Sequence, residues 1–170
     1  MDFTIIQGNI AEQAADCVVN AAGTSLAMGS GVAGALRDAA NGPINEAAMA
    51  EGPVPLGGVA VTDAYDLPAK WVIHAAAMPH HGDGRATEQS IREATRHALE
   101  KADELGCRSL VIPPLGCGVA GFDLAVGARL ILEEIARFAP RTLAEVRLIV
   151  YRPEDQQTVE TVARQVRDDG

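Results

Sequence analysis

Gly29-Ser30-Gly31-Val32-Ala33-Gly34 and Gly116-Cys117-Gly118-Val119-Ala120-Gly121 are the stretches that decide how this chain is read. Each follows an apolar, strand-like run and leads into a helix. The first opens a helix predicted from Val32 to Ala40, the second a helix that begins near Phe122. Glycine lets the backbone approach a ligand and turn its N–H groups toward one point. A helix N-terminus adds free donors and the positive end of a dipole. Together they form anion sites that need no Lys or Arg. One such turn reads more plainly as an ordinary α/β loop, since short glycine motifs are common. Two of them in one small chain imply a ligand with a diphosphate, clamped from both sides.

Neither turn is a triphosphate loop of the GxxxxGK[ST] kind, because no Gly-Lys-Ser/Thr follows. Gly29-x-Gly31-x-x-Gly34 has the spacing of the dinucleotide fingerprint but lies well beyond its strand. No acidic residue ends a clear second strand to hold a ribose.

Outward from the two turns, strands and helices alternate. Strands are predicted at Phe3 to Ile6, Cys17 to Asn20, Val59 to Thr62, Trp71 to Ala75, Ser109 to Ile112 and Val146 to Tyr151. Asn41-Gly42 stops the first helix, and Pro43 starts a short one through Glu51. Thr87 caps a long helix to Leu105, with Ile91, Ala94, Ala98 and Ala102 at helical spacing. Leu124, Ala128, Ile131 and Ile135 line one face of the next helix. Pro153 starts the last, where Val159, Val162, Ala163 and Val166 align. This alternation is that of a layered α/β domain, whose ligands sit at the carboxyl ends of strands. Both glycine turns follow strand ends, which places them on one rim.

The 170 residues, 48% hydrophobic, suffice for one domain with a sizeable core over residues 1–170. No apolar run is long enough to span a membrane, and Met1-Asp2-Phe3-Thr4 has no basic leader region. A net charge of −9 argues against general nucleic-acid binding, which needs basic patches, but not against an anion site built from backbone dipoles. Cys17, Cys107 and Cys117 lack metal-type spacing, and their odd number fits a reducing cytoplasm better than a disulfide framework.

Five ordered motifs then resemble the macrodomains, a family of ADP-ribose-binding modules. They are Gln7-Gly8-Asn9-Ile10, Cys17-Val18-Val19-Asn20-Ala21-Ala22, the first glycine turn continued by Ala35-Leu36, Leu67 to His74, and Pro114-Leu115 leading through the second turn to Phe122. The resemblance covers roughly Phe3 to Val166. It implies a three-layer α/β/α fold with a mixed, mainly parallel six-stranded sheet, and ADP-ribose or an ADP-ribosylated macromolecule as partner, with no cofactor.

Site residues follow from the same resemblance. Where the family carries an acid that accepts from the adenine amino group, this chain has Asn9, between Gly8 and Ile10. Its carbonyl can still accept, without a formal charge. Tyr151 matches the aromatic that stacks on adenine, or is simply a strand-end core residue. Gly29, Ser30, Gly31 and Val32, with Gly116, Cys117, Gly118, Val119, Ala120, Gly121 and Phe122, match the loops that grip diphosphate and distal ribose. Asn20 either touches ligand or fixes backbone after its strand.

Two departures bear on catalysis. Many hydrolytic macrodomains carry a second Asn where this chain has Gly23, and an Asp where it has Ala33. Those side chains orient the distal ribose and help activate water. The resemblance therefore implies binding first. The alternatives are a slow hydrolase of mono-ADP-ribosyl groups, a phosphatase on the phosphate monoester of ADP-ribose and, more distantly, a module for RNA or polymeric ADP-ribose.

Other polar residues carry less. His80, His81 and Asp83 share a loop, but adjacent histidines point in different directions and no further ligand pair has suitable spacing, so no metal site is expected. His74 is expected to make a core hydrogen bond and His97 to be solvated. Cys117, near a helix N-terminus, is either a thiol of lowered pKa or a small side chain suited to a tight loop.

Overall fold

The computed structural model describes residues 1–80, 84–118 and 121–170. His81, Asp83, Val119 and Ala120 of the residues named above lie outside that set. Six strands form one sheet: β1 (Thr4–Gln7), β2 (Cys17–Gly23), β3 (Val59–Asp63), β4 (Trp71–Met78), β5 (Ser109–Ile112) and β6 (Glu145–Val150). Their spatial order is β1-β6-β5-β2-β4-β3. Every pair is parallel except β3 with β4, so the sheet is mixed and mainly parallel, as expected. Five α-helices complete the described residues: α1 (Gly31–Ala40), α2 (Ile44–Glu51), α3 (Glu88–Glu104), α4 (Leu124–Arg137) and α5 (Pro153–Asp169).

Strand alternation sorts the side chains into two cores. Cys17 and Val19 of β2, Ile73 and Ala75 of β4, and Leu110 and Ile112 of β5 pack with α3, α4 and α5. Val18, Val72 and Val111, one residue out of phase on the same strands, pack with Leu36 of α1 and Ile44 and Ala48 of α2. The result is helices on both faces of the sheet. Runs such as Cys17-Val18-Val19 are apolar throughout because both faces are covered. Among the described residues no helix is long and apolar enough to cross a membrane.

Several local signals act as read. Asn41 ends α1 in the left-handed region at φ 50°. Thr87 caps α3 reciprocally with Ser90. The central strands run longer than expected: β2 continues to Gly23 and β4 to Met78. Their extensions are mostly alanine, which has little strand preference of its own, and ladder pairing between Ala21–Ala22 and Ala75–Ala76 decides the conformation.

Two expectations are corrected. Cys17 and Cys107 are joined in a disulfide of 2.06 Å, 90 residues apart in sequence. Cys17 opens β2, and Cys107 lies two residues before β5, the strand that pairs with β2. Strand adjacency, not sequence spacing, brings them together, and the odd cysteine count no longer argues for a reducing compartment. His97 is half-buried rather than solvated, with its Nδ1 2.7 Å from the Gly57 carbonyl oxygen.

Candidate functional site

A cleft of about 610 Å³ opens at the carboxyl ends of β1, β5 and β6. The exit of β1 contributes Gly8, Asn9 and Ile10. The exit of β5 contributes Pro113 and Pro114, and that of β6 Ile149, Val150 and Tyr151. Gly31, Val32 and Ala35 come from α1, on one face of the sheet. Cys117, Gly118 and Leu124 come from the second glycine turn and α4, on the other. Arg152 and Asp155, from the start of α5, complete the lining. The volume falls in the ordinary range for small-ligand sites, and the lining is mostly apolar with a few polar groups.

The two glycine turns differ in how they end. Ser30 is the N-cap of α1 but its side chain makes no capping bond. The first N–H groups of α1 are thus left for another acceptor, beside Gly31, whose φ of +62° a side chain would strain. A close backbone approach shapes this turn: a Cβ on Gly34 would stand 2.8 Å from the Gly29 carbonyl oxygen. The turn is also anchored from α2, where Asn45 Oδ1 accepts from Met28 N at 2.8 Å.

The second turn is folded on itself. Gly121 N–H donates to the Gly118 carbonyl at 2.9 Å, and Phe122 N–H to that of Gly116 at 3.2 Å. Its helix begins at Leu124, not at Phe122. Asp123 caps it, with Oδ2 accepting from Val126 N at 3.1 Å. A carboxylate therefore occupies the helix end that was expected to face an anion. The signal was present in Asp123 itself, one residue before the apolar helical pattern.

Of the residues read as binding groups, Gly8, Asn9, Ile10, Gly31, Val32, Cys117, Gly118 and Tyr151 converge on the cleft. Gly29 and Ser30 are exposed just before α1, outside the lining. Gly116 is buried, where a Cβ would meet Ala86 and Ile91 within 3 Å. Phe122 is half-buried against the α3–α5 core. Asn20 is corrected: it is fully buried in β2, with Nδ2 donating to His74 Nδ1 at 3.0 Å, and does not reach the cleft. Strand register turns it toward β4, and its Oδ1 has no partner among the described residues.

Polar chemistry within the cleft is sparse. Asn9 caps the short 3-10 turn Ile10–Glu12, its Oδ1 accepting from Ala11 N at 2.9 Å. Tyr151 is 76% exposed, an aromatic face on the rim rather than a core residue. Arg152 and Asp155, which sequence reading missed, form a two-pronged pair at 3.1 and 3.2 Å. The first-turn acid after Pro153 was visible, but not its position over the cleft. Burial, with Asp123 nearby, pushes the Cys117 thiol up to about 12, correcting the lowered value weighed from its place near a helix. Cys117 Sγ fills the space over Gly127, where a Cβ would crowd it.

Strand-exit loops and an open helix end around one cleft define a ligand-binding α/β module, and comparison with known proteins agrees. The family model described as Macro domain matches residues 19–131, and the chain belongs to that family. An uncharacterized protein of Aquifex aeolicus is 38% identical over 149 residues, covering 88% of this chain and 90% of its own. An uncharacterized protein of Mycobacterium tuberculosis is 36% identical over 151 residues, and there the chain spans only 42% of the relative's length. Among solved structures, an Oceanobacillus iheyensis macrodomain with ADP superposes at TM-score 0.87 with 25% identity, covering 98% of this chain and 92% of that one. A Trypanosoma brucei macrodomain in complex with ADP-ribose does so at TM-score 0.84 and 25% identity, over 92% and 67%.

Proposed function

We propose that this chain, as one macrodomain over residues 1–170, binds ADP-ribose, free or as a terminal mono-ADP-ribosyl group on a macromolecule. The observation that carries this reading is the uncapped N-terminus of α1 opening into the strand-exit cleft, with Gly118 contributed from the other face of the sheet. Anionic oxygens of a diphosphate match donors of that kind. Tyr151 offers a stacking face at the end where Gly8, Asn9 and Ile10 would meet the base. The Oceanobacillus and Trypanosoma structures, solved with ADP and ADP-ribose, support the same ligand class.

Binding is favoured over turnover by what stands at the two departures. Ala33 is buried at 6% exposure, and a Cβ on Gly23 would stand 3.0 Å from the Pro79 carbonyl oxygen. Neither position offers a side chain to orient ribose or take a proton from water.

Titration calorimetry with ADP-ribose and AMP tests the reading. One ADP-ribose per chain is expected, with affinity near micromolar, about −8 kcal/mol, and weaker AMP. Equal affinity for both ligands would show that the diphosphate and distal ribose are not held by the two turns.

A further inference from the structure

We infer that the Cys17–Cys107 disulfide is a redox-sensitive clamp on the least-paired seam of the sheet, and that opening it loosens the hold of the cleft on a diphosphate ligand. The inference rests on the binding reading above and concerns the regulation of the same site.

The seam lies between β2 and β5, which pair only at Cys17–Leu110 and Val18–Val111. On its other side β2 pairs with β4 from Cys17–Trp71 to Gly23–Met78, and every other junction of the sheet has at least four paired positions. The sequence of β5 explains the short ladder. It runs into Pro113 and Pro114, which have no N–H with which to extend it.

The cleft stands astride this seam. Pro113 and Pro114 line it from the exit of β5, and Gly31, Val32 and Ala35 from α1, the helix that follows β2. Gly118 follows β5, so the two glycine turns are held apart or together through the seam. Val18, Val111 and Leu36 of α1 share one core, which passes the spacing of the strands to the open end of that helix.

At the other end of the seam the strands are tied. Cys17 and Cys107 are bridged there. Beside them Asp16 Oδ2 accepts from Arg108 N at 2.8 Å, and Asp16 N donates to Ser109 Oγ at 2.9 Å. The bridge is the one tie of this group that a reductant opens. A dithiol breaks the S–S bond, two S–H bonds form, and the dithiol closes into its own disulfide. The short ladder, the Asp16 bonds and core packing then hold the strands without it. Both cysteines are buried, at 0% and 3% exposure, so a dithiol reaches them only when the structure opens.

The test is calorimetry with ADP-ribose on three samples: the bridged chain, the chain reduced by dithiothreitol in urea and refolded in its presence, and the double variant Cys17→Ala with Cys107→Ala. Thiol titration in denaturant should find one thiol in the bridged chain, Cys117, and three after reduction. The reduced chain and the double variant should fold, melt earlier and bind ADP-ribose about tenfold more weakly, an ordinary size for coupling between separate sites. Val166→Ala, a core truncation near the end of α5, should also melt earlier but keep the affinity of the bridged chain. By reciprocity, saturating ADP-ribose should raise the ratio of bridged to reduced chain in a dithiothreitol redox buffer by the same factor. Three thiols in the untreated chain, equal affinity of bridged and reduced chains, an unmoved redox ratio, or an affinity loss as large in Val166→Ala would each overturn the inference and leave the binding reading intact. So would global unfolding on reduction, since the bridge would then support the whole fold and not one seam. A bridged chain that binds no ADP-ribose would overturn both.

Discussion

His74 and Asn20, side by side on paired strands β4 and β2, fix each other's protonation and direction. Asn20 Nδ2 can only donate, so His74 Nδ1, 3.0 Å away, accepts. The ring proton then sits on Nε2, which donates to Thr62 Oγ1 at 2.9 Å, and that hydroxyl donates on to the Asp63 carbonyl at 3.0 Å. The chain of bonds joins β2, β4 and β3 inside the sheet and has no place for a second ring proton.

Burial accordingly lowers the His74 pKa from 6.5 to about 4. The unfolded chain binds the proton first as pH falls, so stability present above pH 6.5 is lost progressively down to about pH 4. The loss should be on the order of 3 kcal/mol. Urea midpoints at pH 7 and pH 4.5 measure it, and a His74→Leu variant should lose this part of the slope. A midpoint that does not fall across that window would contradict the assignment. Asp103, held near 2 by backbone N–H groups of Leu143, Thr142 and Arg141, titrates below the window and does not obscure it.

Gly31→Glu and Gly118→Glu should each abolish ADP-ribose binding in a folded protein. Nothing lies within 4 Å of a Cβ built at either position, so a side chain starts without a clash against the described residues beyond its neighbours in the chain. Both residues have positive φ, +62° and +72°, which costs an L-residue roughly 1–2 kcal/mol. Circular dichroism should stay near wild type while calorimetry detects no binding. Retained affinity in both variants would place the diphosphate elsewhere.

Tyr151→Ala should cost roughly 1–3 kcal/mol of ADP-ribose affinity, the range for a base stacked on an aromatic. Because Tyr151 is 76% exposed, its removal should leave the melting temperature almost unchanged. Unaltered affinity would mean that the base does not rest at the exit of β6.

Hydrolysis of mono-ADP-ribosylated protein should be slow, since a positioned general base is typically worth about 10²–10⁴-fold. Gly23→Asn with Ala33→Asp should raise turnover. The structure adds a cost: the new asparagine must displace the Pro79 carbonyl, 3.0 Å from the Cβ position, and the new aspartate would enter the buried site of Ala33. The double variant should therefore melt earlier than wild type while releasing ADP-ribose faster. Rapid release by the wild type, unchanged in the double variant, would point to a different catalytic group.

Cys117 should resist alkylation. With its thiol pushed up to about 12, iodoacetamide labelling of the folded chain at pH 8 should be far slower than in urea, and Cys117→Ser should leave ADP-ribose affinity near wild type. Fast labelling in the folded state would show that the thiolate is stabilised after all.

Much of this protein was set by sequence alone, where the physics is local. Apolar runs such as Val18-Val19 and Leu110-Val111-Ile112 predict buried strands, Thr87 and Asn41 mark helix ends, and glycine at 31 and 118 marks backbone that side chains would obstruct. Those signals, with the ordered motifs from Gln7 to Phe122, gave the layered fold, the family and the rim that carries the cleft. Tertiary structure decided what depends on neighbours distant in sequence. Strand pairing joined Cys17 to Cys107, turned Asn20 inside the sheet toward His74 and carried the alanines of β2 and β4 into the sheet. Packing placed Arg152 and Asp155 at the cleft and buried the Cys117 thiol. At Asn9 the residue type was legible, but the direction of its amide was not. Its Oδ1 caps the short turn after β1 by accepting from the N–H of Ala11, a contact that exists only once the chain has turned there.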